Sequence, residues 1–537
     1  MKVRGVLFSL VVLVCSFSIV KSQVEIAWGK EFPMPKISSR FSLEGFNNNV
    51  ILGAYITGIR RGNVEFYRFD KKNLSFSGVN PSVSSLVIKP GDYYKTLSIH
   101  NQLIMLYRTY QKDAGKYVLF ALKIGGDGKP AGDFFKLLEM DAVSKRNRGD
   151  YEVITCVDST KFCVIASPSY EKGTNEKLVL VAYDGNLKKL VSNQVELTYK
   201  DQMYIPGNFI YASDGDLIMQ ATVYVPKKDR SKDDARTFPS IFKLDPATGK
   251  MDEYQIKIPG INIADLDMSL DPNGKLIVAG FYADPKQGGK RDLDGIVYLR
   301  INRKTKEIEK SSMYKLPDDV VAEIIGDRKA KKGKGIGNDF RINYLISLAN
   351  GSQLLLGERY YSYVVTTCDT KGNCTTTTYY VHSGIIAINI SKDGNILWSK
   401  LLPMKQQFAN SDAFGSYTFA QSDKNIFILY NDLEKNRVKN LTKFSEVKTL
   451  GNPKRMVTAL VALDFSGNFT IQQAFDPKLN GDKKYYLIPK SAIHIEKNVL
   501  VTVLTSLPGF CNFYCTSLSC GIVKSKKVAK ICTLTFK

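Results

Sequence analysis

The chain has 537 residues, 44% of them apolar and 24% charged, a balance that excludes a disordered or low-complexity protein. Lys and Arg number 75 against 52 Asp and Glu, a formal net charge of +23, which favours anionic partners over cationic ones. Aromatic residues reach 11%, with 29 Tyr and 28 Phe, and point to strands rather than helices.

The first residues predict export. Lys2 and Arg4 precede an apolar run from Val6 to Val20, followed by Lys21 and Ser22, the layout of a cleavable signal peptide. The run is shorter than the ~20 residues of a membrane span. Residues 1–22 are therefore expected to be removed, leaving Gln23 as the first mature residue. An uncleaved anchor is the alternative. A lipoprotein would use Cys15, but Val14 stands where a small residue belongs. No transmembrane segment is expected in the mature chain.

From Val50 onward one motif recurs, a run of apolar residues leading into a small or aromatic one. It reads VILGAYI from Val50, LIMLYRTY from Leu103, FCVIASPSY from Phe162 and LIMQATVY from Leu217. It returns as LIVAGFY from Leu276, LLLGERYY from Leu354, IFILYND from Ile426 and VLVTVLTS from Val499. A short strand precedes most copies. A polar loop and a third strand follow, as in VEFYRFD, LVLVAYD and GIVYLRIN, then a Gly-bearing turn such as DPATGKMD and a fourth strand. Helical spacing is confined to short stretches such as Asp318–Ile325. Four strands per unit, repeated end to end, predict an all-β fold: a single closed β-propeller of four-stranded blades, eight in number, with seven the rival count.

The two tryptophans sit in matching segments, IAWGKEFPM from Ile26 and ILWSKLLPM from Ile396. The second is a fourth strand, so the first is read as a fourth strand lacking its blade. The last unit stops after its third strand, ICTLTFK. The N-terminal strand is thus expected to complete the C-terminal blade and remove an exposed sheet edge. Residues 23–537 are read as one domain, with long, disulfide-braced loops in its C-terminal third.

The segments NGKLIVAGFY…GIVYLRIN and GNILWSKLLP…QSDKNIFILYND resemble secreted, functionally uncharacterised β-propeller proteins of Bacteroidetes with WD40-like or YVTN-like repeats. The resemblance spans most of the mature chain and implies the fold and an exported location. It implies no functional residue.

Without Cys15, eight cysteines remain, an even number suited to an oxidising compartment. Cys156 and Cys163 flank one turn and Cys368 and Cys374 another, and each pair is expected to staple a hairpin. Cys511, Cys515, Cys520 and Cys532 would form two further bridges, with three connectivities open. Zinc is the rival for these four, but no histidine lies near them, and no metal is expected.

Catalytic signatures are missing. His100, His382 and His494 share no motif and read as structural residues. There is no G-x-S-x-G, H-E-x-x-H or P-loop, and Lys334–Asn338 reads as a flexible Gly-rich loop. No catalytic residue and no cofactor is expected, and the balance leans away from an enzyme. A polysaccharide lyase or hydrolase would draw on the carboxylates Asp265, Asp267, Asp339 and Asp412 near a central channel.

Basic residues gather in loops that a propeller places on one rim: Arg60, Arg61, Lys227, Lys228, Arg230, Lys290, Arg291, Lys329, Lys331, Lys332, Arg437, Lys439, Lys454 and Arg455. The longest loops fall there too, around Tyr360–Tyr380, Asn431–Met456 and the four-cysteine segment. The expected protein is a monomeric binding or scaffold module, secreted, periplasmic or on the cell surface. Its rim would recognise an anionic polysaccharide or a protein partner. The alternatives are the polysaccharide-active enzyme and a structural subunit of an envelope assembly. Nucleic acid is disfavoured, because the basic loops lack regularly interleaved aromatics.

Overall fold

The computed structural model describes residues 24–33, 41–57, 63–80, 91–229, 236–258, 260–283, 292–478, 483–506, 514–516, 519–521 and 528–537. The expected signal peptide lies outside these residues, as do Arg60, Arg61, Arg230, Lys290, Arg291 and Cys511.

Burial explains why the second strand of each unit carries the repeat. Ile426–Tyr430 is buried at every position, as is Leu276–Phe281, because both faces of these strands pack against neighbouring sheets. The fourth strand of the same unit as Leu276, Glu307–Lys315, is polar and almost wholly exposed. The gradient from apolar middle strands to a polar outer strand builds an antiparallel sheet with an inner and an outer edge.

Seven such sheets follow one another, each of four antiparallel strands in sequence order. They run from Phe41 to Asn80, Asp92 to Asp141, Asp150 to Lys200, Tyr204 to Gln255, Asn262 to Lys315, Phe340 to Ala409 and Tyr417 to Gln473. In the eighth, Tyr485–Leu487 and Ile493–Glu496 both pair with Val499–Ser506, which pairs with Val528–Phe536. Its outer strand is Val24–Trp28, with Val24 opposite Phe536 and Trp28 opposite Cys532. All-β architecture in eight sheets is what the repeat predicted, and it is consistent with an eight-bladed propeller.

The core is divided among the spaces between successive sheets. Tyr117 and Leu119 of the second sheet pack with Phe162 and Val164 of the third. Phe41, Ile51 and Phe69 of the first pack with Val501, Val503 and Ile531 of the eighth. Among the described residues, no helix is long and apolar enough to cross a membrane. The short helix expected at Asp318–Ile325 is present, anchored by buried Val320 and Val321.

The cysteines divide according to register. Cys368 stands directly opposite Cys374 and the two are bonded, with Cα atoms 4.0 Å apart. Cys156 and Cys163 are free, buried thiols, which corrects the expected staple. Cys163 lies opposite Ile154, so Cys156, two residues further on, is its diagonal neighbour. Diagonal pairs lie some 7–8 Å apart, beyond ordinary disulfide reach, and both thiols pack in one apolar cluster instead. Cys532 is likewise a free, buried thiol on the strand facing Trp28, so the expected two bridges among the last four cysteines are also corrected. Cys515 and Cys520 face each other in a short hairpin.

Burial pushes the Cys163 thiol up to about 12 and raises Cys156 and Cys532 as well, and buried thiols of this kind are inert. Native protein treated with a disulfide reagent near pH 8 should leave these three unmodified, and denatured protein should expose them. Peptide mapping that found Cys156 joined to Cys163 would contradict the register.

Candidate functional site

Antiparallel order dictates which loops share a rim. When every strand reverses, the connection between strands two and three lies at the same end as the connection to the next sheet. Contacts bear this out. The Phe444 N–H, in the 2–3 loop of the seventh sheet, donates to Glu323 Oε1 at 3.1 Å, in the connection between the fifth and sixth sheets. The Gln407 N–H donates to Leu450 O at 2.9 Å.

Most of the expected basic residues that are described fall on these connections. Lys227 and Lys228 occupy a 3-10 turn. Lys329 lies in the helix Asp327–Ala330, with Lys331 and Lys332 just beyond it. Lys439 follows the helix Glu434–Val438. Lys454 and Arg455 end a 3-10 turn whose Asn452 side chain accepts from the Lys454 N–H at 3.0 Å. All are exposed, and among the described residues none of Lys227, Lys228, Lys329, Lys331, Lys332, Lys439 and Arg455 forms an ion pair with a carboxylate.

Arg437 is different. It is 5% exposed, and its Nε donates to Asp432 Oδ2 at 2.7 Å while Nη2 donates to Leu441 O at 2.6 Å. The helix Glu434–Val438 turns Asn436 and Arg437 inward and leaves Glu434, Lys435, Val438 and Lys439 outside. This arginine braces the loop from within and is not presented on the rim.

The stapled hairpin of the sixth sheet also stands on this side. Its strands, Gln353–Cys368 and Cys374–Ile390, run well past the sheet, and Val364 is 60% exposed. One face carries three tyrosines in a stack. The Tyr363 and Tyr379 rings lie 5.1 Å apart at 19°, and Tyr361 stacks on Tyr363 at 6.4 Å. The Arg359 guanidinium sits over Tyr361 at 5.1 Å, and Gln407 Nε2 donates to Tyr363 Oη at 3.2 Å. An ordered, half-open aromatic platform results, of the kind that packs on the flat face of a ring.

Behind the hairpin, where the sixth, seventh and eighth sheets meet, lies a cavity of about 540 Å³. Its wall holds a buried carboxylate, Glu358, 4% exposed. Ser416 Oγ donates to Glu358 Oε1 at 2.7 Å, the Asn343 amide donates to the same oxygen at 3.4 Å, and His382 Nδ1 lies 3.3 Å from Oε2. A β-carbon at residue 415 would sit 2.6 Å from the His382 imidazole, so glycine there permits the close approach. The Ser416 N–H donates to Gln406 Oε1, and Gln406 Nε2 donates to Asn431 O, tying the cluster to the seventh sheet. A second cavity of about 560 Å³ shares His494 with the first and is lined by inner-strand residues of the first and second sheets.

The carboxylates considered for catalysis are each engaged. Asp339 accepts from Arg359 Nε at 2.7 Å and Asp412 from Lys490 Nζ at 2.5 Å. Asp265 and Asp267 share one face of an inner strand. Asp265 accepts from the Ile342 N–H at 2.8 Å and Asp267 from Asn208 Nδ2 at 2.9 Å, and burial raises both above the usual carboxylate range. Glu358 was missed by sequence reasoning, although a Glu inside the apolar run LLLGERYY was the available signal. His382 shares its cluster, while burial lowers His494 and His100 occupies a tight turn at φ 45°. Among the described residues, no group of His, Cys, Asp and Glu is placed to hold a metal ion.

Comparison with family models and with curated proteins gives no match. Among solved structures, the chain is similar to a protein of unknown function from Bacteroides caccae, at 11% identity, 68% of this chain, 94% of that one and a TM-score of 0.28. It is similar to the WD40 domain of SCAP from fission yeast at 10% identity, 97% and 96% coverage and a TM-score of 0.40. It is also similar to an alpha-L-arabinanase of Penicillium chrysogenum at 12% identity, 62% and 93% coverage and a TM-score of 0.34. At these values the likenesses carry no argument about activity, and the resemblance to Bacteroidetes propellers rests on the quoted segments alone.

Proposed function

We propose that the eight sheets close into one ring, that the chain is exported, and that its loop-bearing rim binds an acidic polysaccharide outside the cytoplasm. The observation that carries the reading is the set of exposed cations on that rim that pair with no carboxylate among the described residues. A surface cation with an acidic neighbour is largely spent, whereas an unpartnered one contributes its full field to attracting a polyanion. The tyrosine stack beside them supplies flat apolar area for sugar rings, and the Cys368–Cys374 bond holds that area in place before binding, which lowers the ordering cost. The mature chain acts as a monomer, and no catalytic residue is assigned.

The test is binding to immobilised acidic and neutral polysaccharides across a salt series. Exposed charges are screened beyond ~8 Å at physiological salt and ~3 Å at 1 M, so retention on the acidic polymer should fall steeply between these limits. The variant Lys329→Gln/Lys331→Gln/Lys332→Gln should slow association by about tenfold and flatten the salt dependence. Salt-independent retention, or equal retention on neutral polymer, would reject the rim as the binding face.

A polysaccharide-active enzyme is the second reading, favoured by Asp265 and Asp267 as two raised carboxylates on one inner strand. New reducing ends or unsaturated products from a polysaccharide panel, abolished by Asp267→Asn, would establish it.

A further inference from the structure

We propose that the cavity between the sixth, seventh and eighth sheets is a pocket for a single carboxylated sugar residue, the acidic end or branch of the polymer. The proposal rests on the polysaccharide reading and adds a second, deeper subsite to it. The volume, about 540 Å³, lies within the range of small-ligand sites.

The wall chemistry selects the ligand. Arg341 lines the cavity with no carboxylate in direct contact among the described residues, although Asp265 lies near enough to feel its charge; its Nη1 donates to the carbonyls of Asn338 and Phe340 at 2.6 and 2.8 Å. Those two bonds fix the guanidinium and leave its remaining N–H groups for a carboxylate, which they match in shape and charge. Lys490, the other cation of the wall, is held by Asp412, so Arg341 is the cation of the wall left without a direct ion pair. Tyr344 and Tyr360 line the same wall and add aromatic surface for the apolar side of a pyranose.

Three buried polar atoms of the lining residues have no partner among the described residues, one of them His382 Nε2. The other two are Tyr417 Oη, on a side chain 3% exposed, and Asn343 Oδ1. A buried hydroxyl and a buried amide oxygen without hydrogen bonds are costly and rare in a finished fold. The hydroxyl can both donate and accept and the amide oxygen accepts, so the two match the hydroxyl groups of a sugar. Glu358, the buried carboxylate of the same wall, is engaged on the protein side: it accepts from Ser416 and Asn343 and lies 3.3 Å from His382 Nδ1.

The experiment uses the full mature chain with sodium glucuronate, sodium galacturonate and glucose, read by saturation-transfer NMR and calorimetry. Uronate is expected to bind and glucose to bind at least tenfold more weakly. Arg341→Gln should weaken uronate binding tenfold or more, and Tyr417→Phe, which keeps the ring in place, should weaken it several-fold at unchanged thermal stability. The loop variant Lys329→Gln/Lys331→Gln/Lys332→Gln should leave uronate binding unchanged while reducing polymer retention. No uronate binding, or uronate binding indifferent to both Arg341→Gln and Tyr417→Phe, overturns the pocket even where the rim still holds polymer. Glucose binding as strong as uronate overturns the carboxylate assignment. Uronate binding without polymer retention upholds the pocket and rejects the rim.

Discussion

A chain shortened to begin at residue 34 should fail to fold cooperatively, and supplying residues 24–33 as a peptide should restore part of its native signal. The segment does two jobs at once. Val24–Trp28 pairs along Val528–Phe536, and Gly29 continues the contact by donating its N–H to Ile531 O at 2.9 Å. A β-carbon at Gly29 would fall 2.4 Å from Leu74 O, so the chain passes too close to the first sheet for any other residue. Phe32, 1% exposed, then enters an aromatic cluster with Phe41, Tyr67, Phe69 and Phe76, at centroid separations of 4.8–6.1 Å.

Deleting the segment strips the backbone partners from the outer edge of the last strand, leaving an open edge prone to intermolecular pairing, and empties the junction between the first and eighth sheets. Far-ultraviolet circular dichroism and size-exclusion chromatography would read the result. Phe32→Ala isolates the second job and should lower stability by about 3–5 kcal/mol, the range for emptying a buried phenylalanine site. A truncated chain that stayed monomeric and cooperative would mean that the N-terminal strand merely decorates the eighth sheet, and it would remove the support for ring closure.

Particular residues explain how much of this was legible in sequence. The eight copies of the apolar motif stood out because second strands are buried on both faces and tolerate few polar residues. The two matching tryptophan segments identified the borrowed strand, since Trp28 and Trp398 both sit on outer strands. The cysteines show where spacing stops being informative. Residues 368 and 374 differ by six and fall opposite one another, whereas 156 and 163 differ by seven and fall on a diagonal. One residue in a turn decides between a bond and two thiols, and turn length cannot be read without the register. The cavity was illegible for another reason. Arg341, Glu358, His382, Tyr417 and Lys490 come from strands and connections of three sheets, and no local pattern links them.

Arg437→Ala should be among the most destabilising single substitutions of a charged residue on this face, although the sequence places Arg437 in a run of exposed lysines. Its side chain and that of Asp432 are 2% and 1% exposed, and Asp432 also accepts from Asn436 Nδ2 and the Leu433 N–H, each at 2.8 Å. Removing the arginine leaves a buried carboxylate without its counter-charge, which costs about 3–5 kcal/mol. Lys439→Gln, two residues away on the outside of the same turn, should cost less than about 1 kcal/mol.

The pH dependence gives a second, independent reading. Burial already raises Asp432 above its ordinary value, against the opposing pull of Arg437. Without that pull its folded pKa rises further, and a carboxyl whose folded pKa exceeds its unfolded value favours the folded state only while protonated. The Arg437→Ala deficit should therefore be largest at neutral pH. It should shrink as pH falls through the folded pKa toward the unfolded value of about 3.9. Urea unfolding of wild type and variant at pH 7 and pH 4.5 measures both effects. The double variant Asp432→Leu/Arg437→Met should recover much of the loss, because an apolar pair needs no compensation. Equal deficits at the two pH values, or an Arg437→Ala no worse than Lys439→Gln, would mean that the pair is hydrated and the loop is held by something else. Polymer retention by the folded Arg437→Ala protein should match wild type, since the residues assigned to bind lie on the other side of the turn.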